Sequence, residues 1–298
     1  MVVLLQLILE GRPASAQVFE DVGTRARGMG GAFVALADDA TATWWNPAGL
    51  ALGPLFSGVV ERGFPTDPNQ RKALGVAFAV PSLGLSYYRV RAGVVPAPDS
   101  AGTGGSGRQD QGVVASSLPT FVINQVGATV GQSVGGHLVL ASTLKLVHAD
   151  QTRADLDIGT MLKFGSVRFG AVLKHLHAPD LTVDGTRVGL DRQGRVGFAY
   201  APAPNPVLTV NAAVDADVTT TETAFGSARH LAGGAELWVR RRVGVRAGLS
   251  VNTIDDLRHS WSAGASASVQ KGIFVDARVT RGDDEVLQGW GFDLRVTF

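Results

Sequence analysis

Chemistry in this chain would have to come from histidines, acidic pairs or glycine clusters, because its 298 residues include no cysteine. That removes disulfides, thiolate catalysis and cysteine-ligated zinc. The histidines are His137, His148, His175, His177, His230 and His259. His175 and His177 alternate as residues on one strand face would, and Asp180 follows, but two histidines and a carboxylate at a loop rim fall short of a metal's ligand set. Asp38-Asp39 is a second candidate ligand pair, with no further ligand at a recognisable spacing. Gly28-x-Gly30-Gly31 has the look of a phosphate loop, yet it follows no expected strand and opens no βαβ unit. No Gly-x-Ser-x-Gly elbow and no His-Glu-x-x-His pair occurs. The residues predict no enzyme, no metal and no cofactor.

What must position these residues is set by the block Gly28 to Ala51, GMGGAFVALADDATATWWNPAGLA. Met29, Phe33, Leu36 and Ala40 recur at helical spacing, which predicts a short amphipathic helix from Gly31 to about Thr43. Asn46-Pro47 ends it, since a residue before proline is pushed out of the α region. Pro47 suits the first turn of another short helix capped by Asn46, and Gly49 lets the chain turn away.

The same block resembles the N-terminal signature of the FadL superfamily of outer-membrane β-barrels. Gly28, Met29, Gly30, Gly31, Ala32, Asp38, Asn46, Pro47, Ala48, Gly49 and Leu50 stand in the expected places. The resemblance implies that residues 17–53, with Phe33 and Asp39 among them, form a short helical hatch folded into a barrel lumen and entering from the periplasm. It also implies a passive conduit for small hydrophobic or amphipathic molecules. Members that take up long-chain fatty acids are longer and have hydrophobic outer loops, whereas the loops here are short and polar. The segments LAGGAELWV and VGVRAGL are similar to the shorter PorV/PorQ-like branch, which implies the alternative of a protein-binding barrel that assists a secretion system by receiving or presenting exported proteins.

Composition fits an exported strand protein. Met1 to Ala16 carries an apolar run, Val2 to Leu9, then Ala14-Ser15-Ala16 before Gln17, the small-x-small pattern of a signal peptide, although no basic residue precedes the run. The net charge of +1 predicts no nucleic-acid partner. No later run is long enough for a spanning helix, so a membrane would be crossed by strands.

From residue 54 to 298 the sequence alternates apolar with small or polar residues in segments of about ten, about fourteen of them, joined by alternately long and short connectors as in a transmembrane antiparallel up-and-down β-barrel. A soluble β-sandwich is the competing fold. Over the last six strands no position of outward parity is charged, while the opposite parity collects Asp215, Asp217, Glu236, Arg240, Arg246, Asp276, Arg278, Asp293 and Arg295. These are expected to line the lumen, either as a polar track for a solute or as a salt-bridge ladder that fills the barrel. In the second strand Ala73, Gly75, Ala77 and Ala79 leave room on the inward side, where the hatch helix is expected to dock. Trp290, Phe292, Leu294, Val296 and Phe298 share the other face of the last strand and resemble the insertion signal of outer-membrane barrels. The partners so implied are outer-membrane lipid, the barrel-assembly machinery, and a hydrophobic solute or secreted protein client.

Overall fold

A computed structural model describes residues 14–67, 70–95, 120–183, 185–223, 226–283 and 287–298. The alternation from residue 54 onward becomes fourteen wall strands. They are β1 (Ser57–Pro65), β2 (Ala73–Val80), β3 (Leu83–Val95), β4 (Thr120–Val134), β5 (Leu138–His148), β6 (Thr152–Phe164) and β7 (Val167–Lys174), followed by β8 (Gln193–Tyr200), β9 (Leu208–Asp217), β10 (His230–Val239), β11 (Val243–Asn252), β12 (His259–Gln270), β13 (Ile273–Gly282) and β14 (Gly289–Thr297). Every strand pairs antiparallel with its sequence neighbours, and β14 returns to β1 with Thr297 opposite Ser57 and Gly289 opposite Pro65. No edge is left open, and this excludes the sandwich.

Side-chain parity follows the pleat. On β5, Leu144 is 57% exposed on the outside while Thr143 and Lys145 are buried within. Leu249, Val214, Trp261, Trp290 and Phe292 are likewise exposed, whereas Glu236, Asp276 and Asp293 are buried. An apolar outer face on a closed wall makes this an outer-membrane barrel. Among the described residues no helix is long and apolar enough to cross a membrane. Two-residue turns such as Gly165-Ser166 and Lys271-Gly272 close one rim, with Gly165 (φ 61°) and Gly272 (φ 79°) in the left-handed region.

The longer connectors carry structure that alternation does not announce. Asp180–Val183 and Thr186–Leu190 form a hairpin between β7 and β8, and Thr221–Thr223 pairs with Gly226–Ala228 between β9 and β10. Most of the glycine-rich connector after β3 lies outside the described residues, as do residues 1–13.

The N-terminal segment runs through the lumen, and its path differs from expectation in three ways. First, Ala14–Val18 pairs with Ala92–Val95 of β3 and with Val188–Leu190 of the hairpin, at the rim of long connectors, so the described chain enters the lumen from the outer end. Second, the helix expected from Gly31 to Thr43 is replaced by α1 (Thr24–Gly28), a run of turns, and α2 (Ala42–Trp45). Positive φ at Gly30 and Gly31 breaks the helical path, and the Ala40 N–H, which a helix would bond within itself, goes to the Ser57 hydroxyl of the wall. Third, the helix expected to dock on β2 does not form, and the short 3-10 helix Pro47–Leu52 lies chiefly against β4, β5 and β6. It is capped as its sequence suggests, with Pro47 in the first turn and the Asn46 side chain accepting from the Ala48 N–H at 3.2 Å.

Placing a cation on the lipid face tests the facing. Leu144→Arg should destabilise the inserted barrel by roughly 2–4 kcal/mol, read by denaturant titration in vesicles, while the unboiled wild-type protein should migrate anomalously on a gel. A wild-type protein that stays soluble without detergent would remove the barrel.

Candidate functional site

The segment from Phe19 to Gly53 is almost wholly buried, and it is held by wall side chains that answer its unpaired peptide groups. At its upper part the Glu61 carboxylate of β1 accepts from the N–H of Gly23 at 2.8 and 2.9 Å and from that of Thr24 at 3.1 Å, capping α1. A carboxylate at a helix N-terminus meets the free donors and the positive end of the dipole together. Further along, Asp215 of β9 accepts from the N–H groups of Phe33 and Val34 at 2.6 and 2.7 Å. Ser262 of β12 accepts from Gly30 at 2.8 Å, and Ser57 from Ala40 at 2.9 Å.

Asn46 does more than end a helix. Its Nδ2 donates to the Val34 carbonyl at 2.9 Å and to the Thr160 carbonyl of β6 at 3.0 Å, joining two turns of the segment to the wall. Gly49 serves close approach rather than a turn, for a Cβ there would run into the Ala37 carbonyl. The wall makes matching room: a side chain at Gly234 or Gly248 would strike the Met29 backbone, and one at Gly159 would strike Asn46 and Pro47. Gly234 and Gly248 belong to LAGGAELWV and VGVRAGL, so the small residues of those segments have a local packing reason. Phe33 packs edge-on to Trp45, and Trp44 edge-on to Tyr88, whose hydroxyl lies 2.8 Å from that of Thr43.

The charged residues join segment and wall in one network. Arg25 pairs with Glu236 of β10 at 2.8 Å, with Asp38 at 2.6 Å and with Asp39 at 3.3 Å. Arg168 of β7 also reaches Asp38, at 3.2 Å. Burial would raise the Asp38 carboxyl, but Arg25 and Arg168 together hold it below the usual carboxylate range. Glu236 continues to Arg246 at 3.5 Å, Arg246 to Asp276 at 3.0 Å, and Asp276 to Arg295 at 3.0 Å. Asp293 faces Asp276 across the β13–β14 register, and Arg278 donates to the Asp21 carbonyl at 3.3 Å. Asp217 binds Arg195 at 2.5 Å and His230 at 3.1 Å. Arg240 alone of the expected lumenal set lies elsewhere: it is exposed, at φ 50°, in the turn after β10, where the strand has already ended.

The histidine pair does not form a site. Strand β7 ends at Lys174 and His175 turns at φ 56°, which sends His175 inward and leaves His177 exposed. His175 Nδ1 lies 2.7 Å from Asp155, but Lys145 Nζ occupies the same cluster, 3.0 Å from Asp155 and 2.6 Å from Asp157. An ammonium thus stands where a cation would be held.

Several participants were not singled out in the sequence: Glu61, Arg25, Arg195, Lys145 and Tyr88. Glu61 shares the inward parity of Val59 and Gly63 on β1, so the charge segregation seen in the last strands, applied to the first, points to it.

At the outer end a cavity of about 80 Å³ opens between the segment and the wall, lined among others by Phe19, Arg27, Trp45, Lys174, Arg195 and Asp217.

No known protein family's sequence profile matches the chain, and no curated protein does. Solved structures match its fold. The CymD monoaromatic hydrocarbon channel aligns with a TM-score of 0.65 at 12% identity, over 94% of this chain and 99% of that one. The Ralstonia pickettii toluene transporter TbuX gives 0.59 at 14%, over 94% and 99%, and a Pseudomonas aeruginosa FadL homologue 0.53 at 12%, over 96% and 99%. At these identities the likeness is one of fold: the chain has the architecture of the FadL-type outer-membrane channels.

Two substitutions test how the segment is held. Glu61→Ala, which strands the N–H groups of Gly23 and Thr24, should weaken docking by about 1–3 kcal/mol. Gly248→Val should expel the Met29 backbone. In both, trypsin should cut at Arg25 or Arg27 in a barrel that still migrates as folded, and continued resistance would show that the segment is held otherwise.

Proposed function

We propose that this barrel is a passive conduit for small hydrophobic or amphipathic molecules, gated by the lumenal segment acting as a hatch. The observation that carries the reading is that residues 19–53 fill the lumen yet are held by individual polar contacts, each of which can be exchanged for water or solute. Peptide groups at Gly23, Gly30, Phe33 and Ala40 hang on single wall side chains. Such contacts are worth roughly 0.5–3 kcal/mol apiece, so a sliding or tilting segment can exchange them one at a time, with the buried Arg25–Glu236 pair as its strongest tie.

The fold is shared with proteins described as a monoaromatic hydrocarbon channel and a toluene transporter, which supports transport of small molecules rather than of long chains. A solute would enter at the outer cavity beside Phe19 and Trp45, displace the segment, and leave through the lumen or sideways into the membrane.

Asn46 ties the segment to itself and to β6, so it is the place to loosen a hatch. Replacing Asn46-Pro47 by Ala-Ala should raise solute flux or leak in reconstituted vesicles severalfold. Unchanged flux through a correctly inserted variant would count against gating.

A further inference from the structure

We propose that the cavity at the outer end of the lumen takes the carboxylate of a small organic acid, with Arg27 as its counter-ion. This deepens the conduit reading and rests on it.

The protein leaves one buried charge in this cavity unanswered. Arg27 lies in α1, is 9% exposed and lines the cavity. Among the described residues its guanidinium donates no hydrogen bond and forms no ion pair, and its Nε is sealed from solvent without a partner. Its neighbours in the segment and wall are treated differently: Arg25, Arg91, Arg195, Arg246 and Arg295 each hold a carboxylate. The two carboxylates that act on Arg27 through space, Asp21 and Glu20, are taken by others. Asp21 is gripped by Arg91 at 2.7 Å, and Glu20 by Arg195 at 3.0 Å with Lys174 at 4.0 Å. Asp217 is held by Arg195 and His230, and Asp215 by two peptide N–H groups.

A buried guanidinium is stable only when its donors are met, and its planar fork matches a carboxylate better than any neutral group. A neutral molecule seated in this cavity would expel water and leave the Arg27 donors unmet, so it gains less there than an amphipathic acid does. An acid would complete it. The rest of the lining fits an organic body rather than an inorganic ion, because the half-buried Val18 and Leu287 supply apolar surface to the same cavity. Lys174 adds a second, loosely committed positive charge, stacked over the Trp44 ring at 4.8 Å. The space of about 80 Å³ takes the carboxylate and only part of the body that carries it, and it is too small for an acyl chain.

The test is calorimetric binding to the detergent-extracted full chain, with benzoate, its neutral analogue benzyl alcohol, and sulfate as probes. Wild-type protein should bind benzoate at least about tenfold more tightly than benzyl alcohol or sulfate. Arg27→Gln should remove that preference, and Arg27→Lys should restore part of it. Equal binding of benzoate and benzyl alcohol by the wild type would overturn the proposal with no variant needed. So would benzoate binding that Arg27→Gln leaves unchanged in a barrel migrating as folded. Sulfate binding as tight as benzoate would overturn the organic acid in favour of an inorganic anion. Toluene flux through vesicles without benzoate binding would refute the site and leave the conduit standing.

Discussion

Irregular backbone placed at bilayer depth must find its hydrogen bonds inside the protein, and the N-terminal segment is almost entirely such backbone. Two short helices and a 3-10 turn satisfy only part of it. The remainder is met by Glu61, Asp215, Ser262 and Ser57, which point inward from strands whose other face meets lipid. One alternation therefore serves two solvents: the outward residues must be apolar, and the inward ones must be chosen to fit one particular irregular chain.

That second demand explains the mixture of glycine and charge within the wall. Where the segment presses against a strand the wall residue is Gly159, Gly234 or Gly248, because even a methyl group would collide. Where it stands off, charged residues fill the gap and meet each other, from Asp38 through Arg25, Glu236, Arg246 and Asp276 to Arg295. Of the two expected roles for these charges the ladder is the geometry observed, and its ladder includes the segment as one of its rungs. Removing either partner of a buried pair leaves the other charge uncompensated, so the network resists piecemeal change.

The wall was legible in the sequence because a period of two runs through most of each lipid-facing strand, with exceptions such as Arg62 near a strand end, and the fourteen strands lie close to where alternation places them. The segment was legible only in part. Asn46-Pro47 announced a break and a cap that local geometry alone enforces. The helix expected at Gly31–Thr43 failed because Gly30 and Gly31 take positive φ, Ser57 draws off the Ala40 N–H, and Asp215 fixes Phe33 and Val34 from some 180 residues away, which no local pattern encodes. His175 misled for a related reason: the strand stops one residue earlier, so its parity with His177 is lost. Arg240 failed in the same way, lying just past the end of β10.

The route of the chain also bears on the order in which the molecule is built. Ala14–Val18 must pair with both β3 and the Thr186–Leu190 hairpin, and Arg25 must find Glu236. Those docking places are synthesised long after the segment itself. The segment therefore has no complete docking place until the strands that supply Glu236 and the Thr186–Leu190 hairpin are formed, whatever the order of synthesis.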